Sequence, residues 1–172
     1  MHRFIYLAFL LIFAAAPARA ELQIDVTRGQ VSALPIAIPE FKAESREVSN
    51  LARGIPDIIR NNLKNSGLFN PLDRRALIQT ELGAKAKPDF AAWKATDAQA
   101  LINGTVSRGP DGRIKVEFRL WDLFAEQQME GMSYRTTAQN YRRIAHIISD
   151  VIYERITGEK GYFDTRIVYI AE

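Results

Sequence analysis

AQALINGTVSRGPDGRIKVEFRL, the stretch from Ala98 to Leu120, contains the clearest strand pattern of the chain. Its first part, Ala98–Ser107, is mostly apolar, and the sequence Gly109–Gly112 separates it from a strictly alternating second part. A period of two is typical of a strand with one buried face, and Gly-Pro-Asp-Gly has the residue types of a reversing turn. The stretch therefore predicts an antiparallel hairpin, which Gln127–Thr136 extends to a meander. The alternating apolar residues are Ile114, Val116, Phe118 and Leu120.

Two long amphipathic helices are predicted, one on each side of this meander in the sequence. Apolar residues recur every three or four positions in Val48–Asn65 and in Ala138–Thr157, which gives each segment one apolar stripe. Because proline is tolerated in the first helical turn, we expect the regular part of the first helix to begin at Pro56. Gly67 and Gly158 are expected to end the helices in the left-handed conformation. On the second helix the outward residues are expected to be Arg142, Arg143, Ser149, Asp150 and Glu154.

The remaining predicted elements are shorter. They are strands at Leu34–Pro39, Leu68–Leu72 and Tyr162–Ile170, loops at Lys42–Glu47 and Glu81–Lys87, a helical turn at Asp73–Arg75 and a short helix at Pro88–Lys94. Segregated helices and a meander indicate an α+β fold. We expect a mixed sheet of five to six strands with the two long helices packed on one face.

The first twenty residues have the layout of a secretory signal peptide. A basic start at His2 and Arg3 precedes an apolar run of about 13 residues, which is too short for a permanent membrane span, and Ala18-Arg19-Ala20 ends it. We therefore expect residues 1–20 to be cleaved, the protein to be exported, and no stable membrane insertion. The mature chain would keep 21 basic and 20 acidic residues, a near balance that does not predict nucleic-acid binding.

No pattern in the sequence predicts an enzyme, a metal site or a cofactor site. The 172 residues include no cysteine, and His146 is the one histidine after residue 20, so the usual ligands of a zinc site are missing. Neither a Gly-x-Ser-x-Gly motif nor a phosphate-binding loop is present. Glu117, Asp122 and Asp164 are the candidate acid–base carboxylates, but alternating charges on a meander are more typical of a solvated face. We therefore expect a non-catalytic binding protein without a cofactor.

Three further residues have competing interpretations. Asn103 begins the glycosylation sequon Asn-Gly-Thr, but its strand context and Gly104 favour a bulge or kink. Trp93 and Trp121 are predicted to be core or rim residues rather than a stacking platform for nucleic acid.

The segment that follows the expected cleavage site is the candidate binding site. Its alternation could add a strand to the open edge of a partner's sheet, with Arg28-Gly29 as the hinge. The other interpretation is that the segment lies along the chain's own sheet. We expect an arm over residues 21–33 and a domain over residues 34–172. The candidate partner-binding residues are Glu21, Leu22, Gln23, Ile24, Asp25, Val26 and Thr27.

NSGLFNPLDR, the stretch from Asn65 to Arg74, resembles the N-S-G-x-F-N-P-L-D-R signature of the TolB amino-terminal domain family. Matches at Pro35-Ile36, Ala92-Trp93, Gly109–Gly112 and Ile156–Ile167 keep the same order and spacing. The resemblance covers essentially the whole mature chain. It implies a mixed sheet with two helices, akin to anticodon-binding domains, in a periplasmic protein of a Gram-negative bacterium.

The resemblance also implies partners. In the family this domain precedes a β-propeller that carries most of the binding site for the lipoprotein Pal, and the amino-terminal arm binds the carboxy-terminal domain of TolA. Since no propeller repeat follows here, we expect TolA binding through Glu21–Thr27 rather than Pal binding. The implied role is in outer-membrane integrity and cell division through the Tol-Pal system. The alternative is a stand-alone periplasmic adaptor or inhibitor domain that keeps the fold without the Tol partners.

Overall fold

The computed structural model describes residues 32–165, which contain three α-helices and seven strands. The helices are α1 Ser49–Asn65, α2 Phe90–Lys94 and α3 Tyr141–Thr157. The strands are β1 Leu34–Ala37, β2 Glu40–Ala43, β3 Phe69–Pro71, β4 Glu81–Leu82, β5 Ala100–Arg108, β6 Ile114–Asp122 and β7 Gln127–Thr136. Single 3-10 turns occur at Arg46–Val48, Arg74–Ala76 and Ala138–Asn140.

The long strand β5 organises a mixed sheet. On one side β1 and β2 follow each other along β5 and pair with it in parallel, and they are in turn flanked by the parallel strands β3 and β4. On the other side β6 and β7 complete the predicted antiparallel meander. The sheet is thus parallel in one half and antiparallel in the other.

One face of the sheet carries the main hydrophobic core. The even-numbered residues from Ile114 to Leu120 form the sheet's side of this core. The helices contribute Ile55 and Ile59 of α1 and Ile148 of α3. The opposite face carries a smaller cluster around α2, in which Trp93 is fully buried. The predicted α+β class, with two long helices on one face, is confirmed. The described residues form seven strands, however, and the predicted number was five to six.

The extra strands come from segments that were predicted to be loops. The strand expected over Leu34–Pro39 ends at Ala37, and the chain resumes as β2, so Lys42 and Ala43 pair with β5 instead of lying in a loop. Only Phe41 of β2 is fully buried, which leaves too short an alternation to recognise in the sequence. In the same way the predicted loop Glu81–Lys87 begins with the two-residue strand β4.

Gly104 does not mark a bulge, and that prediction was wrong. It pairs in register with Phe118, and the irregularity of the meander lies between Leu120 and Trp121 instead. A Cβ atom on Gly104 would lie 2.6 Å from the ring of Phe41. The glycine is therefore required because the Phe41 ring from the neighbouring strand packs against its backbone.

The predicted ends of the two long helices are confirmed, but the predicted start of α1 and the predicted exposure of Ser149 are not. Gly67 and Gly158 have φ values of 77° and 76°, the left-handed conformation predicted for them. The first helix starts at Ser49, not at Pro56, which is buried inside it. Ser149 was predicted to face outward but is fully buried, and its hydroxyl donates to the Ala145 carbonyl at 2.8 Å.

The described residues after α3 are held against that helix but do not form a strand. Residues 162–165 have no strand pairing, contrary to the predicted strand Tyr162–Ile170, whose remaining residues lie outside the described part. The Asp150 carboxylate accepts the backbone N–H groups of Phe163 and Asp164 at 2.7 and 3.0 Å. In this segment, hydrogen bonds to a helix side chain take the place of the strand pairing that was predicted.

Candidate interaction surface

The predicted partner-binding segment Glu21–Thr27 and the predicted signal peptide lie outside the described residues. What the structure describes is the place where the arm joins the domain. The Leu34 N–H donates to the Leu68 carbonyl at 2.9 Å, and β1 then runs between β3 and β5. An arm that precedes residue 32 would therefore be attached to an interior strand of the sheet.

The Asn65–Arg74 segment forms the wall beside this attachment point. Gly67 turns the chain out of α1, and the Ser66 hydroxyl donates to the Leu63 carbonyl and accepts the Leu68 N–H. Strand β3 then pairs with β1, with Phe69 opposite Leu34. The segment that carries the family resemblance is thus the element that holds the first strand in place.

Arg60 connects α1 to both strand ends near this wall. Its guanidinium donates to the Leu72 carbonyl at 2.9 Å and to the Ile38 carbonyl. Burial lowers the Arg60 pKa, and the charge of Arg74 lowers it further. Arg74 itself pairs with Asp57 of α1. These arginines fix the helix against the sheet, so their first role is structural.

Asn103 is a structural residue of the second face and not an exposed glycosylation site. It is fully buried, and its side-chain amide donates to the Gly83 and Ala86 carbonyls at 2.7 and 3.0 Å. Its side-chain oxygen accepts the indole N–H of Trp121 at 2.9 Å. Thr105 accepts the Ala84 N–H at 2.9 Å. Together these bonds hold the turn 83–86 on the sheet.

The structure does not bring the three candidate carboxylates together. Glu117 pairs with Lys115 at 2.8 Å, and this lysine lowers the Glu117 pKa. Asp122 is buried and caps the turn after β6 by accepting the Phe124 N–H, five residues or roughly 17 Å along the strand from Glu117. Asp164 pairs with Arg143 of α3. Each carboxylate therefore has its own structural partner, and none is paired for acid–base chemistry.

His146 also has a structural position. Its Nδ1 atom lies 2.9 Å from the amide nitrogen of Asn62, so it joins α3 to α1. Within residues 32–165 no cluster of three His, Asp or Glu side chains could hold a metal ion. In the same residues, no helix is long and apolar enough to cross a membrane.

Comparison with known proteins agrees with this geometry. The sequence model described as the TolB amino-terminal domain matches residues 22–129. The chain belongs to the TolB amino-terminal domain family. A relative from Paramagnetospirillum magneticum, named Tol-Pal system protein TolB, is 48% identical over 161 residues, which are 94% of this chain. The match spans only 36% of that relative, about a third of its length.

A solved structure supports the fold independently. The crystal structure of TolB from Acinetobacter baumannii superposes with a TM-score of 0.64 at 23% identity, over 84% of this chain and 33% of the TolB chain. The TolB family domain therefore has the architecture described here. The family match begins at Leu22, so it includes six of the seven residues of the candidate arm segment.

Proposed function

We propose that this chain is a non-catalytic, periplasmic protein-interaction domain of the Tol-Pal envelope system, which binds the carboxy-terminal domain of TolA through Glu21–Thr27. The observation that carries the proposal is the 48% identity to a Tol-Pal system protein TolB over almost the whole chain. Through TolA the domain would act in outer-membrane integrity and cell division. The chain spans about a third of that relative, and the proposal concerns this segment alone.

The mechanism follows from the chemistry of the arm. An extended segment can pair with the edge of a partner's sheet, where main-chain hydrogen bonds supply affinity. Leu22, Ile24 and Val26 would occupy alternate pockets and so set the register. The domain supports this use because β1 is hydrogen-bonded on both sides, by β3 and β5. Force applied to a bound arm would therefore act on a strand that is hydrogen-bonded to two neighbouring strands.

Deletion of residues 21–27 from the mature chain tests the arm. We expect binding to the TolA carboxy-terminal domain, measured by calorimetry, to be lost while Tm stays nearly unchanged. A matched pair separates side chains from main chain: Ile24→Asn should weaken binding strongly, and Gln23→Ala should not. Retained binding, or a large fall in Tm, would show that the segment is structural. With the arm intact, absence of TolA binding would favour the adaptor or inhibitor alternative.

Export is tested separately. Intact-mass measurement on periplasmic extract should find a chain that begins at Glu21, because Ala18-Arg19-Ala20 fits a signal peptidase site. A species in the membrane fraction that keeps residues 1–20 would contradict the periplasmic assignment.

A further inference from the structure

The outer edge of β7 is the longest unpaired strand edge in the part of the chain that the structure describes. β7 has ten residues and pairs with β6 alone. Two of its edge groups already have side-chain partners: the Met129 carbonyl accepts from Arg155 at 3.1 Å, and the Gly131 N–H donates to the Glu130 carboxylate at 2.8 Å. Both bonds belong to the first half of the strand, so that half is capped.

The second half of this edge is open. In an antiparallel pair, residues alternate between those that bond to the partner strand and those that point their N–H and C=O groups away from it. Since the backbone N–H of Gly131 points away from β6, the backbone N–H and C=O groups of Ser133 and Arg135 do so too. Both residues are exposed. Within residues 32–165, no side chain or loop caps these backbone groups. An incoming strand could therefore add its hydrogen bonds there.

The helix-side rim of this open edge is apolar. Met132 is 37% exposed, and the Tyr134 hydroxyl donates to its sulfur at 3.0 Å. The Tyr134 ring lies parallel to the ring of Phe118, with the ring centres 6.5 Å apart, so it extends the core to the strand edge. Apolar side chains of an added strand would cover these two residues.

The opposite rim is basic. Arg119 lies across Gly131 towards this edge, since a Cβ on Gly131 would come within 2.6 Å of the Arg119 side chain. Arg135 stands on the same face, opposite Lys115 in the ladder. Neither arginine belongs to an ion pair formed within residues 32–165, whereas the nearby Glu117 is already paired with Lys115. Arg119 donates one N–H to the Phe118 carbonyl at 2.8 Å, and a guanidinium has five N–H donors. This rim therefore has two cationic side chains that can pair with acidic partners.

We propose that the edge Met132–Thr136 binds an extended segment of another protein in which apolar residues alternate with acidic ones. Strand addition would bond the partner's backbone to Ser133 and Arg135, place its apolar side chains over Met132 and Tyr134, and place its carboxylates beside Arg119 and Arg135. Alternation with a period of two is what directs the two kinds of side chain to opposite faces. This surface is separate from the arm and does not depend on TolA binding.

Fluorescence anisotropy with a labelled nonapeptide of alternating valine and glutamate tests the proposal on the full mature chain. We expect it to bind at least tenfold more tightly than the matched valine–lysine peptide. Ser133→Pro removes an outward N–H without touching the β6 ladder, and Arg135→Glu reverses the charge, so each should weaken binding at least tenfold. Ser133→Ala and Arg75→Glu, at an exposed position after β3, are the controls and should leave binding unchanged.

Three results would overturn the proposal. Equal binding of both peptides would show that charge does not select the partner. Wild-type affinity in both Ser133→Pro and Arg135→Glu would place binding elsewhere. Binding that appears only after removal of residues 21–31 would assign the edge to the chain's own arm.

Discussion

The two faces of the sheet are held by different forces. On the helix side, α1 and α3 bury a continuous apolar surface against β5 and β6. On the other side, an apolar cluster around α2 covers one end of the sheet, and the turn 83–86 is held by hydrogen bonds to Asn103 and Thr105. Burial of apolar area is non-directional, whereas these bonds depend on individual atoms. The helix side should therefore control global stability, and the turn side should control local order.

The largest expected effect is on the helix side. Ile148 is fully buried between α3 and the sheet, so Ile148→Ala should lower the free energy of unfolding by about 2–5 kcal/mol. Arg143→Ala, on the exposed side of the same helix, should cost less than about 1 kcal/mol, since it loses one surface ion pair with Asp164. Chemical denaturation measures both. Equal effects would mean that the helix does not stabilise the domain through this face.

The next effect tests the turn side. Asn103→Ala removes two bonds to the turn carbonyls and leaves the indole N–H of Trp121 without its acceptor. The expected loss is about 3 kcal/mol, since each unpaired buried group costs roughly 1–3 kcal/mol and water can partly replace some of the bonds. Hydrogen exchange should quicken at Ala84 and Ala86 more than in α3. Uniform acceleration through the domain would contradict a local role for this face.

The same contrast explains what the sequence could predict. The helix side was predictable because its apolar residues recur about every 3.6 residues in the helices and every second residue in the strands. Gly67 and Gly158 also end the helices in a conformation that favours glycine. Strand β2 was missed because it buries Phe41 alone and is too short to show a period. The bonds from Asn103 to the turn join residues about 20 positions apart, and no local pattern encodes them. The arm stays a prediction, because its residues lie outside the described part.

A third prediction concerns the close contact between β5 and β2. A methyl group on Gly104 would overlap the Phe41 ring, so Gly104→Ala should destabilise the domain by about 2 kcal/mol through overpacking. If the ring is the cause, Phe41→Leu combined with Gly104→Ala should cost less than the sum of the two single changes. Strictly additive values in denaturation experiments would show that the glycine is needed for another reason.

The smallest expected effect is the pH dependence of stability that comes from Glu117, on the face of β6 opposite the two long helices. The hydrogen bond from Lys115 lowers the Glu117 pKa below its ordinary value of 4.5, so the folded state favours the ionised carboxylate. A lowered pKa in the folded state gives stability that is present above the ordinary value and is lost as the pH falls through the lowered one. The stability difference between the wild type and Glu117→Gln should therefore be constant near neutral pH and shrink below about pH 4.5. Ile148→Ala, which removes no titratable group, should lower stability by a similar amount at neutral and at acidic pH. A difference for Glu117→Gln that grows in acid would mean that the Lys115 pair does not stabilise this face.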